Sequence, residues 1–233
     1  MNKKRALFHW SGGKDSAMAL QRVMQNPEYS VEKLLTTISK SRNRVTMHGV
    51  RRDLIQKQAE QIGLPLSILS LPDSPEMDSY NRAMYNRMTE LGKEGFTHAI
   101  FGDIYLEDLR DYRVNQMQKS GFKALFPIWN EKPADLIQQF INDGFRAVAV
   151  CTSAEKLDKS FCGRDINMSF IEDLPDDVDV CGENGEFHTF VYDGPIFKNP
   201  VPFNKGEVHY REYDTPGQPG ETSGFWFCDL RAD

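Results

Sequence analysis

The chain has 233 residues, 39% hydrophobic and 27% charged, enough for one large α/β domain or one such domain with a smaller appendage. Its net charge of −6 weighs against a nucleic-acid substrate, which usually leaves a basic footprint. No apolar stretch approaches the roughly 18–20 residues that span a bilayer, and the run after the basic start is too short for a secretory signal, so a cytoplasmic protein is expected.

Strands and helices alternate from the start. Residues 6–10 form an apolar strand that runs straight into Ser11-Gly12-Gly13-Lys14-Asp15-Ser16. Residues 15–24 read as a helix that offers Ala17, Ala19, Leu20 and Val23 for burial. The β-branched run at 34–38 is a second strand. A basic loop follows, with Lys40, Arg42, Arg44, Arg51 and Arg52, either a solvated face or a patch that steers ATP or an anionic substrate. A helix over 50–62 is stopped by Gly63 and Pro65, and 66–71 is the third strand. A long helix over 75–93, a fourth strand over 97–101 ending at Gly102-Asp103, a charged helix over 107–119 and a fifth strand over 123–126 complete the series.

Helical crossovers of this length call for a doubly wound, mostly parallel sheet. Ligands of such sheets sit beyond the carboxyl ends of the strands, where Ser11, the stretch starting at Thr37, and Gly102-Asp103 converge. Past Pro127 the pattern loosens. A helix near 134–142 and a strand near 147–151 remain, then a loop-rich tail broken by Pro175, Pro195, Pro200, Pro202, Pro216 and Pro219. The expected division is an ATP-binding α/β domain over 1–130 and a smaller α+β substrate domain over 131–233. Phe225, Trp226 and Phe227 near the end either dock on their own core or make a homodimer contact. The cysteines at 151, 162, 181 and 228 form no Cys-x-x-Cys pair and no zinc-ligand spacing.

Ser11 to Ser16 carry the chemistry. Two glycines between a strand and a helix expose a nest of N–H groups at the positive end of a helix dipole, which suits a pyrophosphate. Ser11 and Ser16 add hydroxyls, Lys14 a positive charge, and Asp15 a carboxylate for Mg²⁺. The Walker A spacing and the dinucleotide fingerprint are both absent. The six residues resemble the loop of the PP-loop ATP pyrophosphatases, whose nucleotide domain is of the adenine nucleotide alpha hydrolase (HUP-like) type.

The second unusual stretch is Cys181-Gly182-Glu183-Asn184-Gly185-Glu186-Phe187-His188-Thr189-Phe190-Val191, followed by Asp193-Gly194-Pro195. If it is extended from Phe187, then Glu186, His188 and Phe190 share one face and Phe187 and Thr189 the other. Its carboxylates serve either a substrate site or the N–H groups of a surface hairpin.

Together the two stretches resemble the diphthine–ammonia ligase family, a branch of the PP-loop enzymes. Met47-His48 and Phe126-Pro127-Ile128-Trp129 match as well. The resemblance implies an amide ligase that adenylates a carboxylate, diphthine on a protein in the family's own case, releases pyrophosphate, and admits ammonia to displace AMP. It also implies roles. Ser11, Gly12, Gly13 and Ser16 would cradle pyrophosphate, with Lys14 and Mg²⁺ neutralising charge. Asp15 and Asp103 would serve the metal, and Thr37, His48 and Gly102 the nucleotide. Glu183 and Glu186 would receive the amine, and His188 its proton. The segment 102–110 departs from the family's pattern where a substrate would be chosen. Two other readings remain: a PP-loop tRNA-modifying enzyme, and a non-catalytic ATP or AMP sensor.

Overall fold

The computed structural model describes residues 3–46, 48–73, 76–214 and 220–233; Met47, Pro75, Pro216 and Pro219 of the sequence reading lie outside them. Strand β1 (Lys4–His9) sends Ala6 and Phe8 to one face and Leu7 to the other, all three fully buried. That two-residue period requires cover on both faces. Helices α1 (Lys14–Gln25) and, after β2 (Tyr29–Ser39) and the short β3 (Arg44–Val45), α2 (Arg52–Ile62) cover the side of Ala6 and Phe8. Beyond β4 (Leu66–Leu71), helix α3 (Met77–Lys93) packs Met84, Met88 and Leu91 on the side of Leu7. Strand β5 (His98–Ile100), helix α4 (Glu107–Lys119) and strand β6 (Lys123–Leu125) finish this sheet.

β2, β1, β5 and β6 lie side by side and parallel, β4 runs parallel along β2, and β3 adds two antiparallel residues to β2. Chain order reverses between β1 and β5. The crevice at their carboxyl ends is the topological switch point of a doubly wound sheet, and it lies between Ser11 and Gly102.

The second layer corrects the expectation of a loop-rich tail. After α5 (Pro133–Asn142), strand β7 (Arg146–Ser153), a 3₁₀ turn (Lys159–Phe161) and α6 (Met168–Glu172) come β8 (Phe187–Asp193), β9 (Phe203–Asp214) and β10 (Thr222–Ala232). They form an antiparallel sheet in the order β8-β7-β10-β9. Pro175, Pro195, Pro200 and Pro202 fall between strands, so they punctuate the sheet without breaking it. β9 escaped notice because an edge strand half open to water carries Lys205, Glu207, Arg211 and Glu212 in place of an apolar run. One continuous core joins this sheet to α1, α2 and the near face of the parallel sheet. Phe225, Trp226 and Phe227 belong to a strand paired on both edges, half-buried against aromatics of β9: Trp226 on Tyr210, Phe225 on Tyr213, Phe227 on His209.

Candidate active site

The loop between β1 and α1 is held from both layers. Gly12 has φ +84° and a Cβ there would lie 2.7 Å from Ile55 Cδ1 and 2.8 Å from Gln58 Oε1, so only glycine fits. Its carbonyl accepts from the Val191 N–H (2.9 Å) of β8 and from Gln58 Nε2 (3.0 Å). The fully buried Gln58 also donates to the Val191 carbonyl (2.6 Å) and accepts from the Trp10 indole N–H (2.8 Å). The Lys14 N–H donates to Thr189 Oγ1 at 3.0 Å, and the Gly13 N–H to Ser11 Oγ at 3.2 Å. The Ser11 and Ser16 hydroxyls are 2.7 Å apart.

Gln58 and Thr189 were not among the expected site residues. Gln58 left a signal: it stands among Leu54, Ile55, Ala59 and Ile62 on the buried stripe of α2, where a polar residue needs partners. Gln58→Leu strands the Trp10 N–H and the Val191 carbonyl. A loss of about 2–4 kcal/mol is expected, read from the shift of a denaturant unfolding curve.

Lys14 is 3% exposed. Its ammonium lies 2.9 Å from both Asp15 carboxylate oxygens, donates to the Cys181 carbonyl and sits 5.2 Å from the Phe187 ring centre. Burial opposes this charge, but Asp15, Cys181 and Glu183 more than offset it and hold the ammonium above its ordinary pKa. The second motif therefore closes over the loop: Phe187 and Thr189 face Lys14 from one side of β8, as the alternation predicts.

Its two glutamates part company. Glu183 Oε1 accepts the Ile104 N–H at 2.9 Å, beyond the end of β5. Burial, with Asp15 and Asp103 adding to it against Lys14 and the Ile104 N–H, raises its pKa to about 7. Glu186, buried, turns into its own loop, where Oε1 accepts from the Asp179 N–H (3.1 Å) and Asn184 Nδ2 (3.1 Å).

His188 stacks on His48 with ring centres 4.5 Å apart. His48 Nδ1 is 3.4 Å from the Thr189 carbonyl, and its ring lies 3.1 Å from where a Gly13 Cβ would be. Burial lowers the His48 pKa to about 4 and puts His188 well below its ordinary value, Lys14 adding to both, so the pair is neutral near pH 7. Gly102 packs on the start of α1: a Cβ would meet Ser16 N at 2.9 Å and the Asp15 carbonyl carbon at 3.0 Å. Next to it Asp103, 7% exposed, has Oδ2 2.8 Å from Arg113 Nε but off line for a hydrogen bond. Burial raises the Asp103 pKa against the pull of Arg113. Thr37 is half-buried in β2, two residues past the last pairing of β1 (His9 with Leu35), and its carbonyl accepts the Thr46 N–H.

Among the described residues, no group of three or more His, Cys, Asp or Glu side chains is placed to hold a metal ion. All four cysteines are buried, and burial raises the Cys162 and Cys181 thiols to about 12, far from thiolate chemistry. The basic loop lines a cleft of about 360 Å³ in which Arg44 and Arg51 are both paired with Asp229 (2.7 and 2.8 Å).

The family models for the diphthamide synthase N-terminal and C-terminal domains match residues 3–124 and 132–215. This chain belongs to the diphthamide synthase family. A diphthine–ammonia ligase of Bos taurus is 29% identical over 109 residues, 44% of this chain and 41% of that protein. One of Danio rerio is 24% identical over 159 residues, 61% of this chain and 62% of that protein. The aligned segments thus span less than two thirds of either relative's own length. Among solved structures, a U34-tRNA thiolase of Methanococcus maripaludis aligns over 60% of this chain and 57% of that one, at 15% identity and a TM-score of 0.37. Of the site residues expected from the sequence, Lys14, Asp15, Gly102, Asp103 and Glu183 meet at one crevice, His48 and His188 stack beside it, and Glu186 braces the loop behind.

Proposed function

We propose that this chain is an ATP-dependent amide ligase of the diphthine–ammonia ligase type. A carboxylate attacks the α-phosphate of ATP, pyrophosphate leaves, and ammonia displaces AMP from the acyl-adenylate. The observation that carries the reading is Glu183, a half-buried carboxyl with a pKa near 7, lodged against the phosphate loop and the end of β5. A general base works best when its pKa lies near the operating pH. Ammonia attack creates a positive nitrogen that must lose a proton as the amide forms and AMP departs. Glu183 is suited to take that proton. His188, whose pKa burial holds well below its ordinary value, is a weak acceptor and serves better as a neutral hydrogen-bonding wall beside His48.

The loop supplies the first half-reaction. Ser11, Gly12, Gly13 and Ser16 cradle the leaving pyrophosphate, and the buried Lys14 places a fixed positive charge where negative charge develops. Mg²⁺ on nucleotide phosphates usually takes one or two protein carboxylates. Asp15 and Asp103 fit that need, since they sense each other across the crevice and Asp103 Oδ2 has no aligned hydrogen-bond donor. When bound, the ion would neutralise phosphate charge. Thr37, His48 and Gly102 border the space left for the nucleotide. The buried, protonated cysteines speak against sulfur transfer to tRNA. We place the protein in the cytoplasm, where ATP and ammonia are at hand.

Product analysis of ATP turnover with Mg²⁺ and ammonium, with and without a panel of carboxylic acids, tests the reading. AMP and pyrophosphate appearing only with an acid present is the expected result. ADP and phosphate, or intact ATP throughout, would overturn it, the latter in favour of a nucleotide sensor.

A further inference from the structure

Helix α4 is not packed as an ordinary amphipathic helix: Met117 is its only fully buried residue. Arg110 and Arg113, three positions apart and so on one side, lie half-buried along it. The Arg113 guanidinium lies 4.7 Å from the Phe101 ring centre, and that of Arg110 lies 5.0 Å from Trp129 and 5.6 Å from Phe126. The rings form a continuous floor, with His9 stacked on Phe101 at 4.2 Å, Phe101 on Phe126 at 5.6 Å, and Trp129 edge-on to Phe126.

Three observations mark this floor as more than packing. First, it is at the carboxyl ends of β1, β5 and β6: His9 precedes the phosphate loop by two residues, and Phe101 precedes Gly102, which touches the start of α1. Second, of nine buried side-chain polar atoms without a hydrogen-bond partner among the described residues, three are here: His9 Nε2, Arg110 Nε and Arg113 Nε. Native structures rarely gather such atoms in one place unless something else satisfies them. Third, among the described residues Arg110 has only a long, exposed carboxylate partner. Its ion pair is with the adjacent, exposed Asp111 at 3.6 Å, whereas Arg113 is braced by Asp103 at 2.8 Å.

We propose that Arg110, backed by Arg113 and the floor of Phe101, Phe126 and Trp129, is the subsite that recognises a carboxylate of the acid to be activated. A guanidinium stacked on rings is held in one plane and has lost its rotamer freedom in advance, so it meets a planar carboxylate with two parallel hydrogen bonds at little further entropic cost. The aromatic floor suits a flat or apolar body attached to that carboxylate. The phosphates of ATP are provided for at Ser11 to Ser16, which leaves the acid as the remaining anion of the reaction. This subsite rests on the ligase reading for the identity of its ligand, but the anion binding can be measured without it.

The probes are benzoate and glutarate, with neutral benzamide as control, titrated into the full chain while the Trp129 indole N–H is followed by NMR. Benzoate is expected to shift that resonance saturably and benzamide to leave it in place. Arg110→Ala, and Arg110→Lys as the variant that keeps the charge and the fold, should each weaken benzoate by about tenfold or more, with pyrophosphate binding at the phosphate loop unaltered. No shift with either acid, or equal affinity in wild type and both variants, would overturn the subsite. Should benzoate bind as described while no acid yields AMP and pyrophosphate, the anion subsite stands and the ligase reading falls.

Discussion

Lys14→Met is expected to lower acid-dependent pyrophosphate release by about 10²–10³-fold, the usual loss when one fixed group aimed at developing charge is removed. The reason lies in where the ammonium is held. It is 3% exposed and held by Asp15 and the Cys181 carbonyl, away from the water that surrounds a surface lysine. A charge held in that way needs no reorganisation as the α–β bond of ATP breaks. Met keeps most of the side chain's volume, so the change is electrical rather than a cavity. It has a second consequence: Asp15 and Glu183 lose the cation that offsets their charge. Breaking one partner out of a buried charge network typically costs about 3–5 kcal/mol, so the variant should also unfold at lower denaturant concentration. A stable Lys14→Met protein with unchanged pyrophosphate release would remove Lys14 from the chemistry altogether.

Where local pattern decides structure, the sequence was a sufficient guide. Helix α4 runs from Glu107 to Lys119 and β4 from Leu66 to Leu71 as the residues themselves indicate, because acids in the first turn and Gly121 bound the helix and Pro65 and Pro72 bound the strand. The phosphate loop was legible for the same reason: two glycines between a strand and a helix admit the positive-φ turn and the close backbone approach that other residues refuse. What was hidden depends on contacts between distant segments. The role of Gln58 exists only because Trp10, Gly12 and Val191 arrive from three elements to meet one amide. The antiparallel sheet of β7 to β10 escaped because β9 spends its charged residues on water, which erases the apolar alternation of a strand. The two glutamates of the second motif look equivalent in sequence. Folding separates them: Glu186 is consumed by the Asp179 N–H within its own turn, while Glu183 reaches across to Ile104 on the other layer.

That separation makes Glu183→Gln the sharpest test of the second half-reaction. Gln keeps the oxygen that accepts the Ile104 N–H, so the loop should hold its place, but it cannot take a proton. Adenylation, followed as acid-dependent exchange of pyrophosphate into ATP, should survive, while ammonia-dependent amide formation falls by about 10²–10⁴-fold, the range of general base catalysis. In the wild type, amide formation should rise with pH through an apparent pKa near 7, the value to which burial brings this carboxyl, and the variant should lose that limb of the profile. Stability supplies an independent reading. A carboxyl whose pKa is higher folded than unfolded binds more protons when folded, so wild-type stability falls as pH rises from the model-peptide value of 4.5 to about 7. Above pH 7 the loss amounts to on the order of 3 kcal/mol. His48 acts in the opposite sense, since its depressed pKa makes stability rise with pH between about 4 and 6.5. Both forms carry His48 alike, and the difference between wild type and Glu183→Gln isolates the carboxyl. The variant's stability relative to wild type should therefore grow across pH 4.5 to 7 and level off above it. A flat difference across that window, together with an unchanged ammonia-dependent rate, would leave Glu183 as an anchor for Ile104 and move the proton acceptor elsewhere.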